Sequence, residues 1–285
     1  MDLTSQIAEA INAWFAGLAS QLLGPALAAA GQLMFQTPAF DTVPEVERAW
    51  SIVRNTADAL FVLALLAVGF LVMASGTLDS RYTAKVLVPR VVLAAVLANT
   101  SLAICGALIS LNNGLVQGLL GPDPAATTLG ELSSLMASGV GVGQVVSVVV
   151  ALVAAVLAVM LAALYIGRDI VLLLATVLAP LALAAYALPQ TDEIARTWWR
   201  VYCALLFVQV VQAILVQLGL ELMRHTDWLG APLSDLTSGL LLVTLLFLLF
   251  KLPFAAYQWA FRQSFGRGPA GQAVFVVARA ARVPV

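Results

Sequence analysis

Long stretches without a charged residue constrain this chain more than any other feature of its sequence. Six such stretches are mainly apolar: 59–78, 91–122, 132–167, 170–191, 201–220 and 236–250. A helix needs about 20 apolar residues to cross a membrane, a length that five of them have and that the sixth reaches if Lys251 extends its ammonium group to the headgroups. With 62% hydrophobic and 10% charged residues, the composition excludes a soluble enzyme. The sequence therefore predicts an all-α fold, a polytopic bundle of five or six transmembrane segments.

The first 57 residues differ from the rest of the chain. Between Ile7 and Leu22, apolar residues recur every three or four positions, which predicts an amphipathic helix lying at the membrane surface. A second apolar element and the polar connector 41–57 follow, and a spanning helix within 10–40 is the alternative. Three regions result: an extracytoplasmic or interfacial N-terminal region 1–57, a helix bundle 58–258 with an outside loop 112–140, and a basic cytoplasmic tail 259–285.

The orientation follows from lysine and arginine, because short loops that carry them stay on the cytoplasmic side. The loop 79–90 has three basic residues and is predicted inside, whereas the loop 112–140 has none and is predicted outside. The arginines of the tail 259–285 place the C-terminus inside. The N-terminus is then outside, in a multi-pass membrane protein.

Strict alternation through six spans conflicts with this charge pattern, because it would place Arg196, Arg200 and the basic tail outside. The conflict disappears if 170–188 enters and leaves the membrane on one side as a hairpin. Pro180 lies at its centre and is the candidate helix break, since proline removes a helical hydrogen bond. We therefore expect five spans and a re-entrant hairpin, with six spans as the alternative.

Glutamines mark one face of the stretch 201–220. At 100° per residue, Gln209, Gln212 and Gln217 fall within a sector of roughly 140°. Gln144 is a further polar residue, near the start of the third span. Polar groups in a membrane line a lumen, join subunits, or hydrogen-bond helices of one chain, and the sequence leaves these readings open.

The segment 189–200 combines aromatic and charged residues at the start of a span. Trp198 and Trp199 beside Arg200 are typical of an aromatic anchor at the headgroups. With Arg196, the same residues are also a candidate interface with a partner or with other copies, since tryptophan and arginine are enriched at protein contacts.

Catalytic chemistry is not visible in the sequence. There is one histidine, no phosphate-binding glycine loop and no His, Cys or Asp cluster with metal-ligand spacing. We expect no catalytic, cofactor-binding or metal-binding residues and therefore no enzyme. Any energy must come from a partner protein.

Two segments carry a resemblance to a known family. A polar connector leads into NTADALFVLALLAVGFLVM, after an amphipathic region and before a glycine-containing outside loop. In LLLATVLAPLALAAYALPQTDEIARTWWRVYCALLFVQVVQAILVQLG, an apolar proline-containing hairpin leads into a tryptophan-rich loop and a glutamine-bearing helix. From about residue 50 to 260, the chain resembles the TrbL/VirB-six type inner-membrane proteins of type IV secretion and conjugation machines, whose usual topology agrees with the charge pattern.

The resemblance implies a platform or channel subunit that aids substrate passage and pilus assembly. Its implied partners are other membrane subunits of the secretion system, pilin, a cytoplasmic ATPase, further copies of the chain, and single-stranded DNA or protein in transit. The loop 112–140 would lie along the substrate passage, but it has no basic and no aromatic residue, so we expect only weak contact with DNA there. The alternative is a subunit of a small-molecule transporter or permease.

Overall fold

The structure, a computed structural model, describes residues 28–74, 78–128, 144–187, 191–224 and 235–265, and the single positions 10, 14, 17, 21 and 25. Every regular element in these ranges is helical. The amphipathic segment before residue 28 and the basic residues after 265 lie for the most part outside the described residues.

Six α-helices follow one another along the described ranges. They are α1 (Pro44–Ala74), α2 (Leu78–Leu120), α3 (Gln144–Val177), α4 (Ala179–Ala184), α5 (Asp192–Arg224) and α6 (Asp235–Phe265). Residues 28–35 and 124–128 are also helical, and 3-10 turns lie at Phe40–Thr42 and Ala185–Ala187.

Three helices in the described ranges are long and apolar enough to cross a membrane. The candidate spans are Val88–Thr128, which extends past the end of α2 at Leu120, Leu152–Val177 and Asp192–Leu222, and Leu240–Ala255 is a shorter apolar helix. The chain is thus an all-helical, multi-pass membrane protein. The number of spans remains a prediction.

The start of α1 and the end of α2 differ from the helix boundaries that the sequence predicted. Pro44 begins α1, where its fixed φ suits the first turn, and two glutamates in that turn face the positive end of the helix. Most of the predicted connector 41–57 is therefore helical. At the other end, α2 continues to Leu120, so the predicted loop 112–140 begins within a helix. Gly121, with φ of 95°, ends α2 by donating its N–H to Gln117 O at 2.8 Å.

The predicted division between the stretches 132–167 and 170–191 is not a helix boundary, because α3 continues through it. The charges of Arg168 and Asp169 mark that division in the sequence, but α3 passes through both residues and ends at Val177. Neither residue type breaks a helix, and both side chains have polar partners inside the protein. The turn comes at Leu178, and Pro180 follows in the first turn of α4, where its missing N–H costs no helical bond. The re-entrant hairpin stays a prediction.

The chain divides into two compact units, each with its own apolar core. The first unit comprises residues 1–37, 111–169 and 206–255, and the second comprises 38–110, 170–205 and 256–285. The first core includes Met34, Phe35, Ala154, Ala158, Leu161, Tyr165, Ala213, Val216, Leu242 and Leu246. The second core contains Ala57, Phe61, Val91, Ala94, Ala98 and Ala187. Its many alanines allow helix backbones to approach closely, as is common between membrane helices.

Candidate functional site

A group of polar side chains, buried except for the half-buried Asn113, lies within the first unit and is held together by hydrogen bonds. We call it the Arg168 cluster. It consists of Thr37, Asn112, Asn113, Arg168, Asp169 and Gln209. These residues come from four separate parts of the chain: the segment after 28–35 and helices α2, α3 and α5.

Gln209 is the central acceptor of the Arg168 cluster. Its Oε1 accepts hydrogen bonds from Thr37 Oγ1 at 2.7 Å, Asn112 Nδ2 at 2.6 Å and Arg168 Nη2 at 3.0 Å. All three partners are donors, so they determine which end of the amide points toward them. The Gln209 side chain is fully buried, and this one oxygen therefore joins three segments of the first unit.

Arg168 places a guanidinium group inside the protein. Its Nη1 donates to Thr37 Oγ1 at 3.2 Å and to Asp169 Oδ1 at 3.1 Å, and the side chain is 1% exposed. A buried charge is tolerated only when it is paired and hydrogen-bonded. The adjacent carboxylate supplies the opposite charge, while Thr37 and Gln209 supply neutral acceptors.

Asn113 replaces the missing backbone partners of Thr37, just beyond the helical segment 28–35. Thr37 N–H donates to Asn113 Oδ1 at 3.0 Å, and Asn113 Nδ2 donates to Thr37 O at 2.8 Å. A buried backbone segment outside a helix needs such partners for its N–H and C=O groups. Asn112 and Asn113 thus both bind within the cluster, one to Gln209 and one to Thr37.

Gln212 satisfies a carbonyl group that a proline leaves free in α6. The carbonyl of Leu249 would ordinarily accept the N–H of residue 253, but Pro253 has none. Gln212 Nε2 donates to Leu249 O at 3.0 Å and takes that place. This hydrogen bond joins α5 to α6 where the α6 backbone ladder is interrupted.

The predicted glutamine face of α5 is therefore not uniform. Gln209 and Gln212 are fully buried and hydrogen-bonded within the first unit, whereas Gln217 is exposed. Gln144 begins α3, and its side chain lies outside the described residues. Arg168 was absent from the predicted site because its charge suggested a helix boundary.

Trp198 and Trp199 have different environments at the start of α5, in the second unit. Trp198 Nε1 donates to Ala175 O at 3.0 Å, in the last turn of α3, where carbonyl groups commonly need partners from outside the helix. Its ring stacks on Tyr202 with 5.1 Å between centroids. Trp199 is instead 43% exposed.

The arginines near these tryptophans also differ. Arg196 binds Asp192 through Nε at 2.9 Å and Nη2 at 3.0 Å, and its side chain is 67% exposed. Asp192 also accepts a hydrogen bond from Arg90 Nη2. Arg200 is half-buried. In the described ranges, no cluster of His, Cys, Asp or Glu could hold a metal ion.

Comparison with known proteins agrees with the family resemblance. The family described as "TrbL/VirB6 plasmid conjugal transfer like protein" matches residues 1–283, nearly the whole chain. No curated protein and no solved structure matches the chain. With its apolar helices, the chain belongs to the TrbL/VirB6-like family of conjugal transfer membrane proteins.

Proposed function

We propose that this chain is a platform or channel subunit in the inner membrane of a type IV secretion machine, where several copies aid substrate passage and pilus assembly. The match of residues 1–283 to the conjugal transfer family carries the proposal. The substrate would be single-stranded DNA or protein. The partners would be other membrane subunits of the machine, pilin and a cytoplasmic ATPase.

The Arg168 cluster favours a conduit formed between copies over one formed within a single chain. A polar lumen needs side chains that face water. In the described part of the first unit, the Arg168 guanidinium and Gln209 are buried and hydrogen-bond to protein groups. Inside one chain they act as attachment points between helices. A passage for a macromolecule would then lie along surfaces that several copies bring together.

A mating experiment tests this function. Deletion of the gene from a donor cell that carries the cognate transfer system should abolish DNA transfer to recipients, and the intact gene should restore it. Formaldehyde cross-linking followed by precipitation of a tagged chain should recover the transferred strand. A donor whose plasmid lacks the transfer origin is the control. Normal transfer and normal pili in the deletion strain would refute the proposal.

The proposed orientation, with the N-terminus outside and the C-terminus inside, has a separate test. Single cysteines at the exposed positions Thr127 and Glu193 are introduced after Cys105 and Cys203 are replaced by alanine. A membrane-impermeant thiol reagent on intact cells should label position 127 and not position 193. Permeabilised cells should label both. Labelling of position 193 in intact cells would exclude five spans with a re-entrant segment.

A further inference from the structure

The surface at the start of α5 carries more positive than negative charge. One carboxylate, that of Asp192, is shared by the guanidinium groups of Arg90 and Arg196. Glu193 and Arg200 add one charge of each sign to the same helix turns. Three arginines thus accompany two acidic residues, so this part of the second unit attracts an anion.

Arg196 has more capacity for a further ligand than Arg90. The Nε of Arg90 donates to Tyr186 O at 2.9 Å, its Nη2 to Asp192, and its guanidinium lies 4.6 Å from the centroid of the Tyr186 ring. Arg196 uses Nε and Nη2 on Asp192. With 67% of its side chain exposed, its Nη1 is accessible to an acceptor from outside the chain.

Trp199 lies beside Arg196 on the same face of the helix, three residues further along α5. Its ring is exposed, and the candidate membrane span that begins at Asp192 continues to Leu222. Exposed tryptophan at the end of a span is typical of the headgroup region, where its ring contacts the upper acyl chains. Arg196 and Trp199 thus present a cation and an apolar ring side by side where lipid headgroups lie.

We propose that Arg196 and Trp199 form a binding site for an anionic phospholipid. The guanidinium binds the phosphate through Nη1, and the Trp199 ring packs against the glycerol and the start of an acyl chain. Arginine suits phosphate because its planar donors match the geometry of the oxygens. A zwitterionic lipid binds less well, because its own cation meets the excess positive charge. This assignment goes beyond the proposed function and does not depend on it.

Quenching of tryptophan fluorescence by brominated lipids tests the site in the full-length protein. The protein is reconstituted in phosphatidylcholine vesicles that contain either brominated phosphatidylglycerol or brominated phosphatidylcholine. The signal of Trp199 is the difference between wild type and Trp199→Phe. We expect this signal to show an association constant about fivefold higher for phosphatidylglycerol, the factor for one arginine at an anionic surface.

Three variants distinguish the site from general charge attraction. Arg196→Gln should remove the preference, Arg196→Lys should keep most of it, and Arg48→Gln should leave it unchanged. Arg48 is the matched control because it is an exposed arginine of the same unit. Size-exclusion profiles and circular dichroism confirm that each variant is folded.

Two results would overturn the proposal. One is equal quenching by both lipids in the wild type, or a preference that survives in Arg196→Gln. The other is a Trp199 signal that neither lipid quenches, which would mean that a protein partner or a second copy covers this surface.

Discussion

Two arginines of this chain bind an aspartate at nearly the same distance, yet their surroundings are opposite. The nitrogen–oxygen distance is 3.1 Å from Arg168 to Asp169 and 2.9 Å from Arg196 to Asp192. The exposed fractions of the two arginine side chains are 1% and 67%. The Arg196 side chain projects from the protein, whereas Arg168 hydrogen-bonds to Thr37, Asp169 and Gln209 inside it. Burial, and not distance, therefore decides how much the fold depends on each arginine.

The largest expected effect comes from removing the buried charge. Arg168→Met should lower the free energy of unfolding by about 3–5 kcal/mol, because Asp169 and the acceptor of Gln209 lose their buried partner. Arg196→Met, the matched substitution at the surface, should cost about 1 kcal/mol or less. Denaturation with dodecyl sulfate in mixed micelles measures both values. Equal losses would show that the two pairs contribute alike.

Removing Gln209, the central acceptor of the Arg168 cluster, should have the next largest effect on stability. Gln209→Leu should lower the free energy of unfolding by about 2–3 kcal/mol, since donors from Thr37, Asn112 and Arg168 lose their common acceptor inside the protein. The exposed Gln217, changed to leucine, is the control and should alter stability by about 0.5 kcal/mol or less. The same micelle titration separates them. A large loss for Gln217→Leu would mean that this glutamine is also covered.

The sequence predicted the helices better than it predicted the Arg168 cluster. Continuous apolar runs of about 20 residues match the length of a membrane-spanning helix, whereas a spanning strand is about half as long, so their length predicts helices. Two partners of Arg168, Thr37 and Gln209, are far from it along the chain and carry no local signal of the contact. Helical period placed Gln209 and Gln217 on one side of α5, but packing against other helices decides which of them is buried.

The hydrogen bond between Gln212 of α5 and Leu249 of α6 should contribute less to stability than the Arg168 cluster does. Gln212→Leu should lower the free energy of unfolding by about 1 kcal/mol, because the carbonyl of Leu249 loses the side-chain donor that takes the place of the missing N–H of Pro253. In Pro253→Ala, the new backbone N–H can bind that carbonyl, so Gln212→Leu should then cost much less. A double-mutant cycle should give a coupling energy of about 0.5–1 kcal/mol.

The control for this cycle is Gln217→Leu in the same two backgrounds, since Gln217 is exposed on the same helix. Its effect should not depend on residue 253. A coupling energy of zero between Gln212→Leu and Pro253→Ala would contradict the role of Gln212 as the donor to the Leu249 carbonyl.

The two tryptophans give the smallest effect and repeat the comparison in the second unit. Trp198→Phe removes the N–H that binds Ala175 O and should lower the free energy of unfolding by about 1 kcal/mol. Trp199→Phe keeps an exposed aromatic ring and should change it by about 0.5 kcal/mol or less. Both substitutions remove one indole N–H, so the difference between them reports the contacts of Trp198 inside the protein, which are the hydrogen bond at the end of α3 and the stacking on Tyr202. If Trp199→Phe were the more destabilising change, the hydrogen bond to Ala175 would contribute less to the fold than the contacts of the exposed ring.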